Sequence, residues 1–257
     1  MRLARRLAAL PVATLALAFL TAARPPILVP EISQHEVQVR QGFTGADLLL
    51  YGAILDPAGT RAARDYDVVV VLEGPAQSIL LREKKQVAGI WVNADSTRLR
   101  SAPGFYALVA TRPLHAIVDD KTAAIYELGL DKLQLSPIGV IDPKAQTRFA
   151  AGLVDLMRRG KLFQEDEHGV TVNDQVLYTA RIHLPSSVPI GAYTAETFAI
   201  RQGKVVASAM TRVDVTREGF ERVVAVAARR QALVYGLFAV GVSVIMGWLA
   251  GRLFALV

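Results

Sequence analysis

The residues that could carry chemistry are few and widely separated along the chain. The four histidines have no helical metal-ligand spacing, and the candidate for a metal ligand is His35, which lies near Glu31 and Glu36. The sequence contains no cysteine, which excludes thiolate catalysis, disulfides and cysteine-ligated metal centres. It also lacks the G-x-S-x-G, P-loop and G-x-G-x-x-G motifs. We therefore predict no catalytic residue, no metal site and no cofactor.

One short loop could bind a ligand through its backbone. Gly42, Phe43, Thr44 and Gly45 place two glycines around an aromatic residue. Glycine lets backbone amides approach a ligand closely. The same residues could instead form a tight turn that leads into a strand beginning at Ala46. The turn is the preferred interpretation, and the ligand loop is kept as the alternative.

The net charge of +6 does not indicate a nucleic-acid partner. The excess equals six arginines that lie beside two apolar segments at the ends of the chain: Arg2, Arg5, Arg6, Arg229, Arg230 and Arg252. The rest of the chain is close to neutral, whereas nucleic-acid binding depends on clustered positive charge. We expect no nucleic-acid partner.

Residues 1–23 have the layout of a secretory signal peptide. Basic residues are followed by an uncharged stretch over 7–20 and by small residues at 21–23. We predict cleavage after Ala23. The alternative is that the segment is kept as an anchor, although 14 uncharged residues are few for a bilayer core of about 30 Å.

A transmembrane helix is predicted over residues 232–251. The stretch 232–250 contains no charged residue, and its 19 positions give a helix of roughly 28 Å. Tyr235 and Trp248 lie near its two ends, where amphipathic rings prefer the membrane interface. The lipid bilayer is thus the first expected partner.

Small residues recur every four positions in this helix, at Ala239, Ser243, Gly247 and Gly251. Such a stripe lets a second helix approach closely. It predicts packing against a membrane transporter or against a second copy of the chain. The alternative is that these residues are simply common in membrane helices.

The export signal places the main domain in the periplasm, with one crossing of the bacterial inner membrane. The positive-inside rule disagrees at the C-terminal helix, because Arg229 and Arg230 would then lie outside. We give the signal precedence, because it acts first and large domains translocate largely regardless of charge.

The middle of the chain reads as β-structure. An apolar, β-branched run at 68–72 predicts a buried strand, and residues 176–184 and 205–215 alternate with period two. Gln202-Gly203 fits a hairpin turn, and residues 82–85 are expected to form a solvated charged turn or edge. Short strands with regular turns predict an immunoglobulin-like β-sandwich.

The predicted organisation is two β units, over 27–140 and 161–216, joined by a linking helix over 141–160. Asp142 can cap that helix, Pro143 suits its first turn, and Gly160 ends it. A juxtamembrane helix is predicted over 217–231. One continuous sandwich is the main alternative to two units.

Several segments resemble Alph_Pro_TM, a family of transmembrane proteins from alphaproteobacteria. The residues that carry the resemblance are 37–52, the valine run closed by Glu73-Gly74-Pro75, residues 103–106, residues 184–193 and, most specifically, Gly89-Ile90-Trp91-Val92-Asn93. The resemblance covers nearly the whole mature chain. The family has no assigned activity, so no catalytic residue is carried over. Its members are often encoded beside predicted sulfite or anion exporters, which implies an accessory role for an exporter.

Together these features predict a membrane-anchored periplasmic binding or accessory module rather than an enzyme. Its partner would be a membrane transporter, such as a sulfite or anion exporter. The alternative is a membrane-tethered envelope enzyme that acts on a small anionic substrate.

Overall fold

The chain forms a β-sandwich followed by one apolar helix. The computed structural model describes residues 25–40, 42–56, 65–139, 141–173, 176–217 and 228–254. The predicted signal peptide, 1–23, lies outside the described residues. So does most of the predicted juxtamembrane helix, since only residues 228–230 of that segment are described as helical.

The described residues form twelve strands and four helices. The strands are β1 (Ile27–Ile32), β2 (Glu36–Val39), β3 (Gly45–Leu55), β4 (Asp67–Glu73), β5 (Ala76–Val87), β6 (Ile90–Pro103), β7 (Tyr106–Ala110), β8 (Phe163–Asp166), β9 (Val170–Asn173), β10 (Leu177–Pro185), β11 (Gly191–Arg201) and β12 (Lys204–Arg217). The helices are α1 (Leu114–Ile117), α2 (Asp120–Ile125), α3 (Pro143–Arg159) and α4 (Ala232–Phe254).

Ten of the strands build two facing sheets. One sheet has the order β1-β3-β10-β9, and the other has the order β2-β12-β11-β4-β7-β8. In the letters used for immunoglobulin domains, the first is A-B-E-D and the second contains G-F-C-C′. The mainly β, immunoglobulin-like prediction is confirmed.

The division into two β units is wrong. Strand β3 pairs with β10, and β4 pairs with β11, so each sheet contains strands from both 27–140 and 161–216. The alternative, one continuous sandwich, describes the structure. The hydrophobic period can identify an individual strand, but it carries no information about which distant strand completes its hydrogen bonds.

The valine run of β4 is explained by burial on both faces. Val68 and Val70 point into the core between the sheets, where they pack with β3 and β10 residues such as Leu50 and Ile182. Val69 faces the opposite side, in a second cluster covered by the helical segment after β7. A strand covered on both faces reads as a continuous apolar run rather than as an alternating one.

Helix α3 has the predicted bounds but does not link two domains. The Asp142 carboxylate accepts hydrogen bonds from the Lys144 and Ala145 amides, at 3.1 and 3.3 Å. Leu153 is fully buried in a small cluster with Leu99 and other residues at the base of the β5–β6 hairpin. The helix therefore braces an insertion of the sandwich.

That insertion is a long two-stranded hairpin between β4 and β7. Strands β5 and β6 form a sheet of their own, and β6 has one further bridge, between Leu99 and Pro137. The turn is at Ala88 and Gly89, whose φ values of 48° and 83° suit a type I′ hairpin. The charged residues 82–85, expected to form a solvated turn or edge, lie within β5, because a ribbon exposed on both faces accepts charged side chains without an apolar period.

Candidate functional site

The first candidate site is the uncovered surface of helix α4. Residues Ala232–Arg252 have a mean hydropathy of 2.0, and the described chain buries none of this segment. The helix is 23 residues long, or about 34 Å at 1.5 Å per residue, enough to cross a bilayer. Such a surface would be unfavourable in water and favourable in lipid.

The polar side chains of α4 have partners that suit a helix in lipid. The Ser243 hydroxyl donates to the Ala239 carbonyl oxygen at 2.9 Å, one turn back along the helix. The Arg252 guanidinium lies 5.7 Å from the centre of the Trp248 ring, near the end of the helix. Arg252 and Trp248 are thus placed as an interfacial pair.

The small-residue stripe lies on an open side of α4. Ala239, Ser243, Gly247 and Gly251 are all exposed. A Cβ atom added at Gly247 or Gly251 would meet no heavy atom within 4 Å. The structure thus leaves room for a neighbouring helix at this stripe, and its packing role stays a prediction.

The loop at Gly42 to Gly45 forms a turn into β3. The Phe43 amide donates to the Arg40 carbonyl oxygen at 3.0 Å, and the Phe43 ring packs on the main core. Gly45 has a φ of 131°, and an added Cβ would lie 2.8 Å from the Leu184 carbonyl oxygen. These contacts account for both the glycine and the aromatic residue as parts of a turn, and a ligand role for the loop stays a prediction.

A groove of about 300 Å³, lined by both charged and apolar side chains, lies beside this turn. His183 Nδ1 is 2.8 Å from Asp47 Oδ1, and Arg181 and Asp166 also line the groove. Sequence reasoning missed this pairing, because the two residues are 136 positions apart and meet only through the β3–β10 register. The pair is exposed, so its contribution to stability is small.

An acidic groove of about 390 Å³ lies on the outer face of the second sheet. Glu73 of β4, Glu127 after α2 and Glu196 of β11 line it, together with Tyr126. Burial raises the pKa of Glu73, and the charges of Glu127 and Glu196 raise it further. Burial also raises the pKa of Glu196. The groove disfavours anions. Sequence reasoning missed it because three separate segments of the chain supply its carboxylates.

Tyr106 fixes the wall of this groove. Its hydroxyl donates to the Glu127 carbonyl oxygen at 2.9 Å and accepts from the Gly129 amide at 3.1 Å. Glu127 has a φ of 51°, a backbone conformation that needs such support. Burial is the main cause of the raised pKa of Tyr106, so the hydroxyl keeps its proton.

His35, which has Glu31 and Glu36 as near neighbours in the sequence, forms a surface pair with Glu31. His35 Nε2 lies 3.1 Å from Glu31 Oε1, whereas Glu36 accepts a hydrogen bond from the Thr216 hydroxyl at 2.7 Å. Within the ranges that the structure describes, no group of three or more His, Cys, Asp or Glu residues could hold a metal ion.

Comparison with known proteins identifies the family. The family model described as "Putative transmembrane protein (Alph_Pro_TM)" matches residues 27–255. The chain belongs to this family. The Alph_Pro_TM match runs through both sheets, the β5–β6 hairpin and α4, and it confirms the resemblance found in the sequence. No curated protein matches the chain.

Proposed function

We propose that this Alph_Pro_TM protein is a single-pass protein of the bacterial inner membrane whose sandwich lies in the periplasm. There it would serve as a non-enzymatic binding or accessory module for a membrane transporter. The observation that carries the proposal is helix α4, an apolar segment of 21 residues that the described chain leaves unburied. A helix of this kind needs lipid or another membrane helix around it.

The orientation rests on the N-terminal segment. Residues 1–23 have the pattern of an export signal, which would carry the sandwich across the inner membrane before α4 stops transfer. Arg252 and the residues after it would then lie at the cytoplasmic side, where the positive charge of Arg252 is favoured.

A transporter partner is supported by two features of different kinds. The stripe that ends in Gly247 and Gly251 gives α4 a surface on which another helix could pack closely. The family resemblance implies an accessory role for a sulfite or anion exporter. An accessory protein tethered by one helix would act beside its transporter at a high local concentration.

The test is affinity capture of the tagged full-length chain from membranes dissolved in a mild detergent. We expect one multi-pass transporter to be recovered in stoichiometric amount with the natural chain. Replacing Gly247 with Ile should abolish the recovery, because the branched side chain keeps the partner helix at a distance.

The matched control is Gly241→Ile, in the same helix. Gly241 lies about 120° around the helix from Gly247, away from the stripe. An added Cβ at Gly241 also meets no heavy atom within 4 Å, so both glycines start from open surroundings. Equal recovery with the two isoleucine variants would contradict packing through the stripe. Recovery of no membrane protein by the natural chain would contradict the accessory role.

A further inference from the structure

The outer half of the β5–β6 hairpin is exposed, and its contact with helix α3 is at Asp95. Every residue over 84–96 is exposed, on both faces of the ribbon. A two-stranded hairpin without a covering layer is only marginally stable in water. The base of the ribbon is held differently, since Arg148 of α3 contacts Glu83 at 3.1 Å and Asp95 at 3.0 Å. The hairpin therefore has an exposed tip, and helix α3 holds the ribbon behind that tip in place.

The tip is apolar on both faces. Val87 pairs with Ile90 and lies on one face of the ribbon, while Trp91, opposite Gln86, lies on the other. The exposed fractions are 57% for Val87, 68% for Ile90 and 66% for Trp91. Apolar side chains on both faces suit insertion of the tip, end first, into a surrounding medium such as the surface of a bilayer.

Two lysines lie directly behind the tip. Lys85 is opposite Val92, and Lys84 is opposite Asn93. Lys85 has only a loose contact with Glu83, at 3.6 Å, and Glu83 is also held by Arg148. Tryptophan prefers the membrane interface, and lysines close behind it would meet anionic headgroups.

The hairpin leaves the sandwich at the end from which the chain continues to the membrane helix. Glu73, the last residue of β4, pairs with Thr194 near the start of β11. Gly191, the first residue of β11, pairs with Val215 near the end of β12. The hairpin therefore starts at the same end as Arg217, from which the chain continues to α4.

The length of the hairpin is comparable to the distance that the chain can span between the sandwich and the membrane helix. Its arm from Ala76 to Val87 is about 37 Å long at 3.4 Å per residue. Whatever path residues 218–227 take, Arg217 and Ala228 are separated by at most about 40 Å. The arm is thus nearly as long as the largest distance that the chain permits between the sandwich and Ala228, four residues before α4 begins.

We infer that the β5–β6 hairpin inserts its tip, at Val87, Ile90, Trp91 and Val92, into the surface of the same bilayer that α4 spans. The insertion reaches only the boundary between headgroups and acyl chains, because the strand edges carry unpaired backbone groups that hydrocarbon does not tolerate. The protein then has two membrane contacts, both reached from the same end of the sandwich, and these limit how the sandwich can tilt.

The test uses the full-length chain in lipid nanodiscs that contain phosphatidylcholine and phosphatidylglycerol. The chain has two tryptophans, so Trp248→Phe leaves Trp91 as the only tryptophan. Brominated acyl chains quench tryptophan emission on contact. We expect brominated nanodiscs to remove roughly half of the Trp91 emission, because a tip at the acyl boundary lies within reach of the bromine atoms.

The control is a chain with Trp91→Phe, Trp248→Phe and Met210→Trp. Met210 is exposed in the middle of β12, away from the end that leads to α4. Its tryptophan should emit equally in brominated and ordinary nanodiscs. Equal emission from Trp91 in the two lipids would overturn the inference, and so would equal quenching at both positions. Because the nanodiscs contain no transporter, the result does not depend on the proposed accessory role.

Discussion

At the scale of single residues, one hydrogen bond of Tyr193 is typical of the immunoglobulin-like fold. Its hydroxyl donates to the Pro189 carbonyl oxygen at 2.7 Å, four residues upstream. Its buried ring lies 5.8 Å from the ring of Phe105. Strand β11 corresponds to strand F of immunoglobulin domains. A tyrosine near the start of strand F whose hydroxyl donates to the preceding backbone is called the tyrosine corner of immunoglobulin-like sandwiches. Burial raises the pKa of Tyr193, so the hydroxyl remains a donor.

Replacing Tyr193 with Phe should destabilise the sandwich while keeping its ring packing. We expect the free energy of unfolding to fall by about 1–2 kcal/mol, because the carbonyl oxygen loses its donor. Thermal or urea unfolding of the full chain in detergent measures the change. Tyr51→Phe is the control, since Tyr51 is an exposed tyrosine in β3. Equal effects of the two substitutions would contradict the role of the corner.

Glu73 should make stability depend on pH. Its pKa is raised in the folded state above the ordinary value of 4.5, so ionisation is less favourable in the folded chain than in the unfolded chain. The resulting loss of folding stability is absent below about pH 4, where Glu73 is protonated in both states. It grows as the pH rises through the folded-state pKa.

Glu73→Gln should therefore raise the midpoint of thermal unfolding at pH 7 and leave it unchanged at pH 4. Unfolding curves of the natural chain and the variant at both pH values measure the difference. A variant that is less stable than the natural chain at pH 7, or equally more stable at both pH values, would contradict the proposed cost of ionisation.

At the scale of elements, the sequence correctly predicts those helix ends and turns that neighbouring residues determine. Helix α3 was placed correctly because Asp142, Pro143 and Gly160 act on the helix ends directly. The turn at Gln202 and Gly203 was also correct, because a two-residue hairpin is specified by its own backbone. The β5–β6 hairpin was missed because its exposed residues follow no apolar period.

Gly52 shows how β3 depends on its neighbours. It lies in the middle of β3, between β1 and β10. An added Cβ would lie 2.6 Å from the Tyr178 hydroxyl oxygen and even closer to the Val29 carbonyl oxygen. The strand can therefore pair on both sides only if this residue has no side chain.

Gly52→Ala should lower the free energy of unfolding by roughly 1–3 kcal/mol, because the added methyl group overpacks the sheet. Gly152→Ala is the matched control in helix α3, where an added Cβ meets no heavy atom within 4 Å. There the same substitution should be neutral or stabilise by up to about 1 kcal/mol, since alanine favours helix. Urea unfolding of both variants measures the contrast, and equal effects would contradict the packing argument.

At the scale of the whole molecule, the sequence predicted the sandwich and the final helix but not how distant strands combine. The pairing of β4 with β11 and of β3 with β10 makes one sandwich from two segments. The same pairing assembles the acidic groove at Glu73 and Glu196, and it places the hairpin at the end that leads to α4. These features depend on contacts between residues far apart in sequence, which periodicity cannot reveal.

The placement of the chain in the membrane is the central claim, and the absence of cysteine makes it directly measurable. Two single-cysteine variants suffice: Met210→Cys, at an exposed position of the sandwich, and a cysteine added after Val257. A maleimide that cannot cross membranes is applied to intact spheroplasts and to lysed ones. We expect Met210→Cys to be labelled in intact spheroplasts and the C-terminal cysteine only after lysis. Labelling of the C-terminal cysteine from outside, or protection of Met210→Cys until lysis, would contradict the proposed placement.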